Sequence, residues 1–249
     1  MPKIEVKNLS FSYPGTKKSA GIDVFKNLNI TFENEKFNIL LGESGCGKTT
    51  LLKIISGLEH DYDGQVLFDE VDARTLSIRK RELAYMPQNY QIYDKLTVFD
   101  NIAFPLNYGG SYSPEEILTR VRNIAKRFGI AHCLTRLPKH LSIGQQQRMM
   151  LAKVLVKDPS LILLDESLTS NDPVMKEQLF ELIKEAKEEL NATVIYVTHD
   201  YKDAIRYGDT LHVISENDKV ITGTPLELRE SKDPYLQALK KSSIIEEIK

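Results

Sequence analysis

A chain of 249 residues with 41% hydrophobic and 27% charged residues has the make-up of a soluble globular protein, long enough for one core with a subdomain. Its net charge of -2 gives no general attraction to nucleic acid or to anionic membranes. No apolar run approaches the ~20 residues of a membrane span, and the start MPKIEVKN is not a signal peptide. The two cysteines, Cys46 and Cys133, lack metal-type spacing, so reduced thiols in the cytosol are expected, with any service to a membrane going through a partner that spans it.

The run FNIL (37–40) has the length of a buried strand, and KTTLLKIISGL after it places Leu51, Leu52, Ile54, Ile55 and Leu58 at helical spacing, with Gly57 near the helix end. Between them, Gly42, Gly47, Lys48 and Thr49 match G-x-x-x-x-G-K-[ST], the phosphate-binding loop. Glycine is costly in regular structure; here it lets successive N–H groups turn onto phosphate oxygens at a helix N-terminus whose dipole favours negative charge. Lys48 is expected to reach the β- and γ-phosphates and the Thr49 hydroxyl to ligate Mg²⁺. The whole loop, Gly42, Glu43, Ser44, Gly45, Cys46, Gly47, Lys48, Thr49 and Thr50, is read as nucleotide-binding, against the alternative of a chance match in a glycine-rich turn.

LAYMPQN (83–89) reads as a further strand and ends in Gln88, expected at the metal and the reacting phosphate. Residues 89–140 then break the strand–helix alternation. In SPEEILTRVRNIAKRFGI (113–130), Ser113 is a good N-cap, Pro114 sits in the first turn and Glu116 suits a capping box. Ile117, Val121, Ile124 and Phe128 form the apolar stripe. LSIGQQQRMMLAKVLV (141–156) is a second glycine–helix junction, with no strand before it.

LILLDES (161–167) reads as a strand buried on both faces that ends in two carboxylates: Asp165 placed to hold Mg²⁺ through water, Glu166 to polarise an attacking water. TVIYVTHD (193–200) repeats the design and carries His199, within reach of a γ-phosphate. An Asp-Glu pair can instead open a solvated loop, and a lone histidine is more often a surface residue. Parallel strands gather such ends along one edge of a sheet, where α/β proteins bind ligands. Lys48/Thr49, Gln88, Asp165/Glu166 and His199 together describe an NTP-hydrolysing centre.

From about residue 4 to 230 the sequence resembles the ATP-binding-cassette (ABC) ATPases. GESGCGKT is similar to their Walker A and LILLDE to their Walker B; LSIGQ is similar to the signature LSGGQ. Gln88 falls in the Q-loop, TSND (169–172) in the D-loop, His199 in the H-loop, and Tyr13 of FSYPG resembles the aromatic that stacks on adenine, where the plainer alternative is a tyrosine at a strand end. The resemblance implies an α/β fold: a RecA-like parallel core with an antiparallel β edge (1–88 and 156–230), a helical subdomain (89–155) and a short tail (231–249). It implies ATP and Mg²⁺ as ligands, with ATP sandwiched head to tail between two such domains and Ser142, Gly144 and Gln145 acting on the nucleotide of the partner, identical or different. Ile143 replaces the usual first signature glycine, Ser167 stands where proline usually follows the glutamate, and TSND departs from the usual D-loop; these departures bear on hydrolysis rate and dimer symmetry.

KLTVFDNIAFPL, VTHDYKDAI and ITGTPLEL resemble bacterial importer ATPases, most nearly the sugar-importer branch, whose long C-terminal regulatory domain is expected to be absent here because the chain ends at Lys249. Transmembrane permease subunits at the cytoplasmic face of the cell membrane are the expected partners, with no membrane insertion and no nucleic acid. A soluble cassette ATPase such as the iron–sulfur assembly type is the competing reading.

Overall fold

The computed structural model describes residues 1–15, 21–89, 91–108, 112–168, 172–215 and 218–245. In chain order the elements are β1 (Ile4–Tyr13), β2 (Ile22–Phe32), β3 (Phe37–Leu41), α1 (Lys48–Ser56), β4 (Asp63–Phe68), β5 (Val71–Asp72) and β6 (Leu83–Met86). There follow α2 (Val98–Asn107), α3 (Pro114–Arg127), α4 (Ile143–Leu155), β7 (Leu161–Asp165) and α5 (Pro173–Leu190). The chain closes with β8 (Thr193–Thr198), α6 (Tyr201–Tyr207), β9 (Thr210–Ile214), β10 (Val220–Gly223), α7 (Pro225–Glu230) and α8 (Pro234–Ile245). None of the described helices is long and apolar enough to cross a membrane.

Two compact units share these elements: Met1–Leu83, Ser160–Glu166 and Asn191–Lys249 form the first, Ala84–Pro159 and Ser167–Leu190 the second. The sequence places the helical subdomain at 89–155; the second unit also takes in α5, which packs on α4.

The first unit is built on two sheets. One is four-stranded and antiparallel, ordered β2-β1-β4-β5. The other has, within this unit, the order β10-β9-β3-β8-β7, in which β3 pairs parallel with β8 and β9, β7 pairs parallel with β8, and β10 closes an antiparallel edge on β9. Every residue of β3, β7 and β8 is buried, as the continuous apolar runs require of strands covered on both faces. Helix α1 buries Leu51, Leu52, Ile54 and Ile55 and ends at Gly57, whose φ of 83° gives a left-handed cap that only glycine adopts cheaply. Leu58, expected on the same stripe, lies beyond that cap and is 57% exposed, because the chain has already turned out of the helix.

The second unit is helical. Ser113 and Glu116 form the expected capping box on α3, and Val121, Ile124 and Phe128 are buried, with Ile117 half-buried at the stripe's edge. Fully buried Asn101 of α2 fastens the loop before it: its amide donates to the carbonyls of Tyr93, Leu96 and Thr97 at 3.0–3.1 Å, and its Oδ1 accepts from the Tyr93 N–H at 3.0 Å. A second capping box, Ser142 with Gln145, starts α4.

His212 on β9 is a fully buried titratable group in the first unit. Its ring meets Phe32 edge-on at 4.8 Å, Nδ1 lies 3.0 Å from Thr222 Oγ1 and Nε2 3.3 Å from Asn38 Oδ1. Burial pulls its pKa down to about 4, so the ring is neutral at pH 7. The unfolded chain takes up a proton below about pH 6.5 that the folded chain refuses until about pH 4. The contribution to stability is therefore complete above pH 6.5 and lost as pH falls through this window, by roughly 3 kcal/mol. In urea titrations at pH 7 and pH 4, the stability advantage of the wild type over His212→Asn should shrink by about that amount. An advantage that stays constant would assign the acid sensitivity to other groups.

Candidate functional site

The C-terminal ends of β3, β7 and β8 lead directly into the loop 42–47, Glu166 and His199. Parallel pairing of Leu41 with Thr198 and of Asp165 with Val197 brings these three ends to one edge of the sheet in the first unit.

At that edge the loop 42–47 bends through two glycines of positive φ, Gly45 (89°) and Gly47 (94°). Space explains the others' identities differently. A Cβ on Gly42 would sit 2.7 Å from Cys46 Sγ and 2.8 Å from the Ile214 carbonyl oxygen, and one on Gly47 would sit 2.6 Å from Phe25 and 2.8 Å from Val24. Nothing lies within 4 Å of the Cβ position of Gly45, which faces open space. Helix α1 starts on Gly47 with no side-chain cap, so its first N–H groups keep their donor capacity.

Lys48 is only 5% exposed, and its ammonium donates to the carbonyls of Gly42 and Glu43 at 2.8 Å each, folding the loop over its own cation. Thr49 Oγ1 donates to Asp165 Oδ1 at 2.9 Å, which joins the helix start to the end of β7. Tyr13, at the end of β1, lies with its hydroxyl 3.3 Å from Thr50 Oγ1 and stacks edge-on with Phe11 at 4.9 Å. Glu166 takes a φ of 47°, unusual for a residue with a side chain, and its N–H donates to the Val197 carbonyl at 3.1 Å. That twist takes it off the strand's alternation, and its Oε1 stands 3.2 Å from His199 Nδ1. Cys46 is half-buried in the loop; burial pushes its thiol up, partly offset by the Lys48 charge with Nζ 4.0 Å from Sγ.

The structure thus brings Tyr13, the loop 42–50, Asp165, Glu166 and His199 together. Gln88, exposed just past β6, and the turn Ser142–Gln145 belong to the second unit. There Ser142 Oγ accepts from the Gln145 N–H at 3.3 Å, Gln145 Oε1 accepts from the Ser142 N–H at 3.1 Å, Gly144 is buried, and Ile143 is 76% exposed. Residues 169–171 of the expected D-loop lie outside the described residues; Asp172 caps α5 by accepting from the Val174 N–H at 2.9 Å.

Thr49 and Asp165 offer a hydroxyl and a carboxylate side by side, hard oxygen donors that suit Mg²⁺. No group of three or more His, Cys, Asp or Glu able to hold a metal occurs among the described residues. Two contributors were missed at the sequence level: Val24 and Phe25 of β2, which pack on Gly47. Their signal was the strand's own apolar periodicity, but nothing in it says which loop the strand covers.

The model of the ABC transporter family matches residues 25–169, more than half the chain. The chain belongs to this ABC transporter family. The glucose import ATP-binding protein GlcV of Saccharolobus solfataricus is 40% identical over 236 residues, 92% of this chain and 65% of that protein. The spermidine/putrescine import ATP-binding protein PotA of Thermotoga maritima and the maltose/maltodextrin import ATP-binding protein MalK of Photorhabdus laumondii are each 36% identical over 92% of this chain and 60% of theirs. The chain therefore spans about two thirds or less of the length of these curated relatives. Among solved structures, CbiO1 of Clostridium perfringens, titled part of the ABC transporter complex cbiONQ, superposes with a TM-score of 0.78 at 27% identity, covering 98% of both chains.

The two positive-φ glycines separate backbone freedom from space. Gly45→Ala should cost only the left-handed backbone, about 1 kcal/mol, while Gly47→Ala adds a collision with Phe25 and Val24 and should cost about 2–4 kcal/mol in denaturant unfolding.

Proposed function

We propose that this ABC-family chain is a Mg²⁺-dependent ATPase subunit that powers a membrane importer, with two such cassettes closing on ATP. The observation that carries the proposal is the paired geometry at one sheet edge: an uncapped glycine–helix start with a buried lysine, Thr49 beside Asp165, and Glu166 beside His199.

The roles follow from what each group can do. Tyr13 stacks on adenine, and the N–H groups of Gly45 to Thr50 receive the phosphates. Lys48 exchanges the Gly42 and Glu43 carbonyls for β- and γ-phosphate oxygens, so its buried charge is always satisfied. Thr49 and Asp165 would hold Mg²⁺, which would supply neutralising charge to the phosphates there. Glu166 accepts a hydrogen bond from the attacking water, and His199 holds Glu166 and reaches the γ-phosphate. Ser142 has its oxygen committed to the Gln145 N–H, but its hydroxyl proton is left to donate to a phosphate of the second copy's ATP, alongside the N–H groups of the α4 start and the Gln145 side chain.

The relatives' names support the importer role: they are import ATP-binding proteins for glucose, spermidine/putrescine and maltose at comparable identity. Import ATP-binding proteins for such different cargo lie at 36–40% identity to this chain, which supports a role for it in ATP chemistry at the membrane's cytoplasmic face, apart from cargo recognition.

Glu166→Gln keeps the side chain's shape and removes its charge. Turnover should fall by at least about 10²-fold while ATP stays bound and an ATP-dependent dimer accumulates on gel filtration; normal turnover would move the water-polarising role to another group. The shared site has its own test. Lys48→Ala damages the loop side of a site and Ser142→Arg the signature side, so each alone should be inactive. A mixed dimer pairs the two damaged halves in one site and the two healthy halves in the other, so mixing should restore ATP occlusion. Cross-linked mixed dimers that occlude no ATP would overturn the head-to-tail arrangement.

A further inference from the structure

Gly144, one residue into α4, has a neighbour that comes from another helix. A Cβ built on it would lie 2.3 Å from Met175 Cε and 2.8 Å from Met175 Sδ, and the three nearest atoms to that point all belong to Met175. The thioether of α5 therefore occupies the place that a side chain at 144 would take. One turn further along both helices, Arg148 Nη2 donates to Gln178 Oε1 at 2.6 Å, a second tie between the same two elements.

Met175 is itself held from two sides. Asp172 Oδ1 accepts from the Val174 N–H at 2.9 Å and from the Met175 N–H at 3.4 Å, which caps α5 and fixes its first turn. Met175 also heads the stripe of α5 that continues through the buried Leu179, Ile183 and Ala186. The capping box of Ser142 and Gln145 is internal to α4, and Gln146 of the same turn donates to the Pro138 carbonyl at 3.0 Å, which ties the turn to the chain before it but not to α5. The Met175–Gly144 contact is thus what locates that first turn against α5, and a flexible, polarisable thioether fits the irregular surface beside a glycine.

We propose that Met175 is a positioning residue: its thioether sets where Ser142, Gly144 and Gln145 stand, and so governs turnover at the nucleotide they face without touching it. This rests on the ATPase reading given above. It also gives Gly144 a reason within its own chain, since any larger residue there displaces Met175.

The test uses the full chain and three readouts: steady-state kcat and KM for ATP, affinity for a fluorescent ADP analogue at the loop 42–50, and the Ile δ1-methyl NMR spectrum. Met175→Ala should lower kcat at least fivefold while analogue affinity stays within twofold, and should shift the Ile143 methyl signal but not that of Ile55 on α1. Met175→Leu, which refills the space, should keep kcat within twofold of wild type and leave the Ile143 signal in place. The proposal is overturned by a Met175→Ala kcat within twofold of wild type, by an unmoved Ile143 signal, or by Leu being as damaging as Ala. Should Met175→Ala fail to fold, Met175→Gln replaces it: an amide of similar length against Gly144 should lower kcat at least threefold, and wild-type turnover there would overturn the proposal. A wild type without ATP turnover would count against the ATPase reading, while the Ile143 signal would still decide the positioning claim.

Discussion

The in-register parallel pairing of β3, β7 and β8 is the constraint on which the site depends. Side chains alternate along a strand, so a slip of one residue in any pairing would turn that strand's terminal groups to the other face. With Leu41 opposite Thr198 and Asp165 opposite Val197, the phosphate loop, the two carboxylates and His199 leave the sheet at the same level. What holds the register is burial: all residues of these strands lie inside, each apolar side chain worth about 1.5–3 kcal/mol relative to exposure. The polar ends are carried by that apolar interior and contribute little to holding it.

Two features at this edge are costly and survive because the surroundings over-determine them. The Lys48 ammonium is buried, and the Gly42 and Glu43 carbonyls, with Cys46 Sγ 4.0 Å away, offset the loss of water. Glu166 occupies a backbone region that costs of order 1–3 kcal/mol for a residue with a side chain, and the hydrogen bond from its N–H to the Val197 carbonyl holds it there. Both sit where a charged ligand would relieve or use them. That is where an interior optimised only for stability would have a different residue.

The parts of the fold legible in the sequence are those with local causes. The runs FNIL, LILLD and TVIYVT announce buried strands, G-x-x-x-x-G-K-T announces its loop through steric and hydrogen-bonding demands, and Ser113-Pro114-Glu115-Glu116 announces a capped helix. What stayed hidden depends on distant packing. Nothing in the sequence says that Phe25 covers Gly47, that Met175 covers Gly144, or that α5 packs with the helices before β7. His212 reads as an ordinary histidine until Asn38 and Thr222, 174 and 10 residues away, close around it.

The two glycine–helix junctions look alike in sequence and differ in the way that matters for anion binding. At α4 the Ser142–Gln145 box satisfies two of the donors that a helix start leaves over, and this stabilises the turn whether or not a ligand is present. At α1 the cap position is Gly47, which has no side chain to accept from those donors, and a glycine there in place of a capping side chain forgoes roughly a few tenths of a kcal/mol. The chain offsets that loss with tertiary contacts: Phe25 and Val24 against Gly47, Thr49 to Asp165, and Lys48 to the loop carbonyls. The junction with the greater unsatisfied donor capacity is thus the one fastened most firmly to the sheet. A phosphate arriving at α1 would meet N–H groups that no side chain caps, with the Lys48 ammonium exchanging its two carbonyl partners to meet it. At α4 the same box leaves the turn able to present the Ser142 hydroxyl proton but dependent on α5 for its place. The first junction leaves its N–H groups without a capping side chain, and the second spends two donors within its own turn.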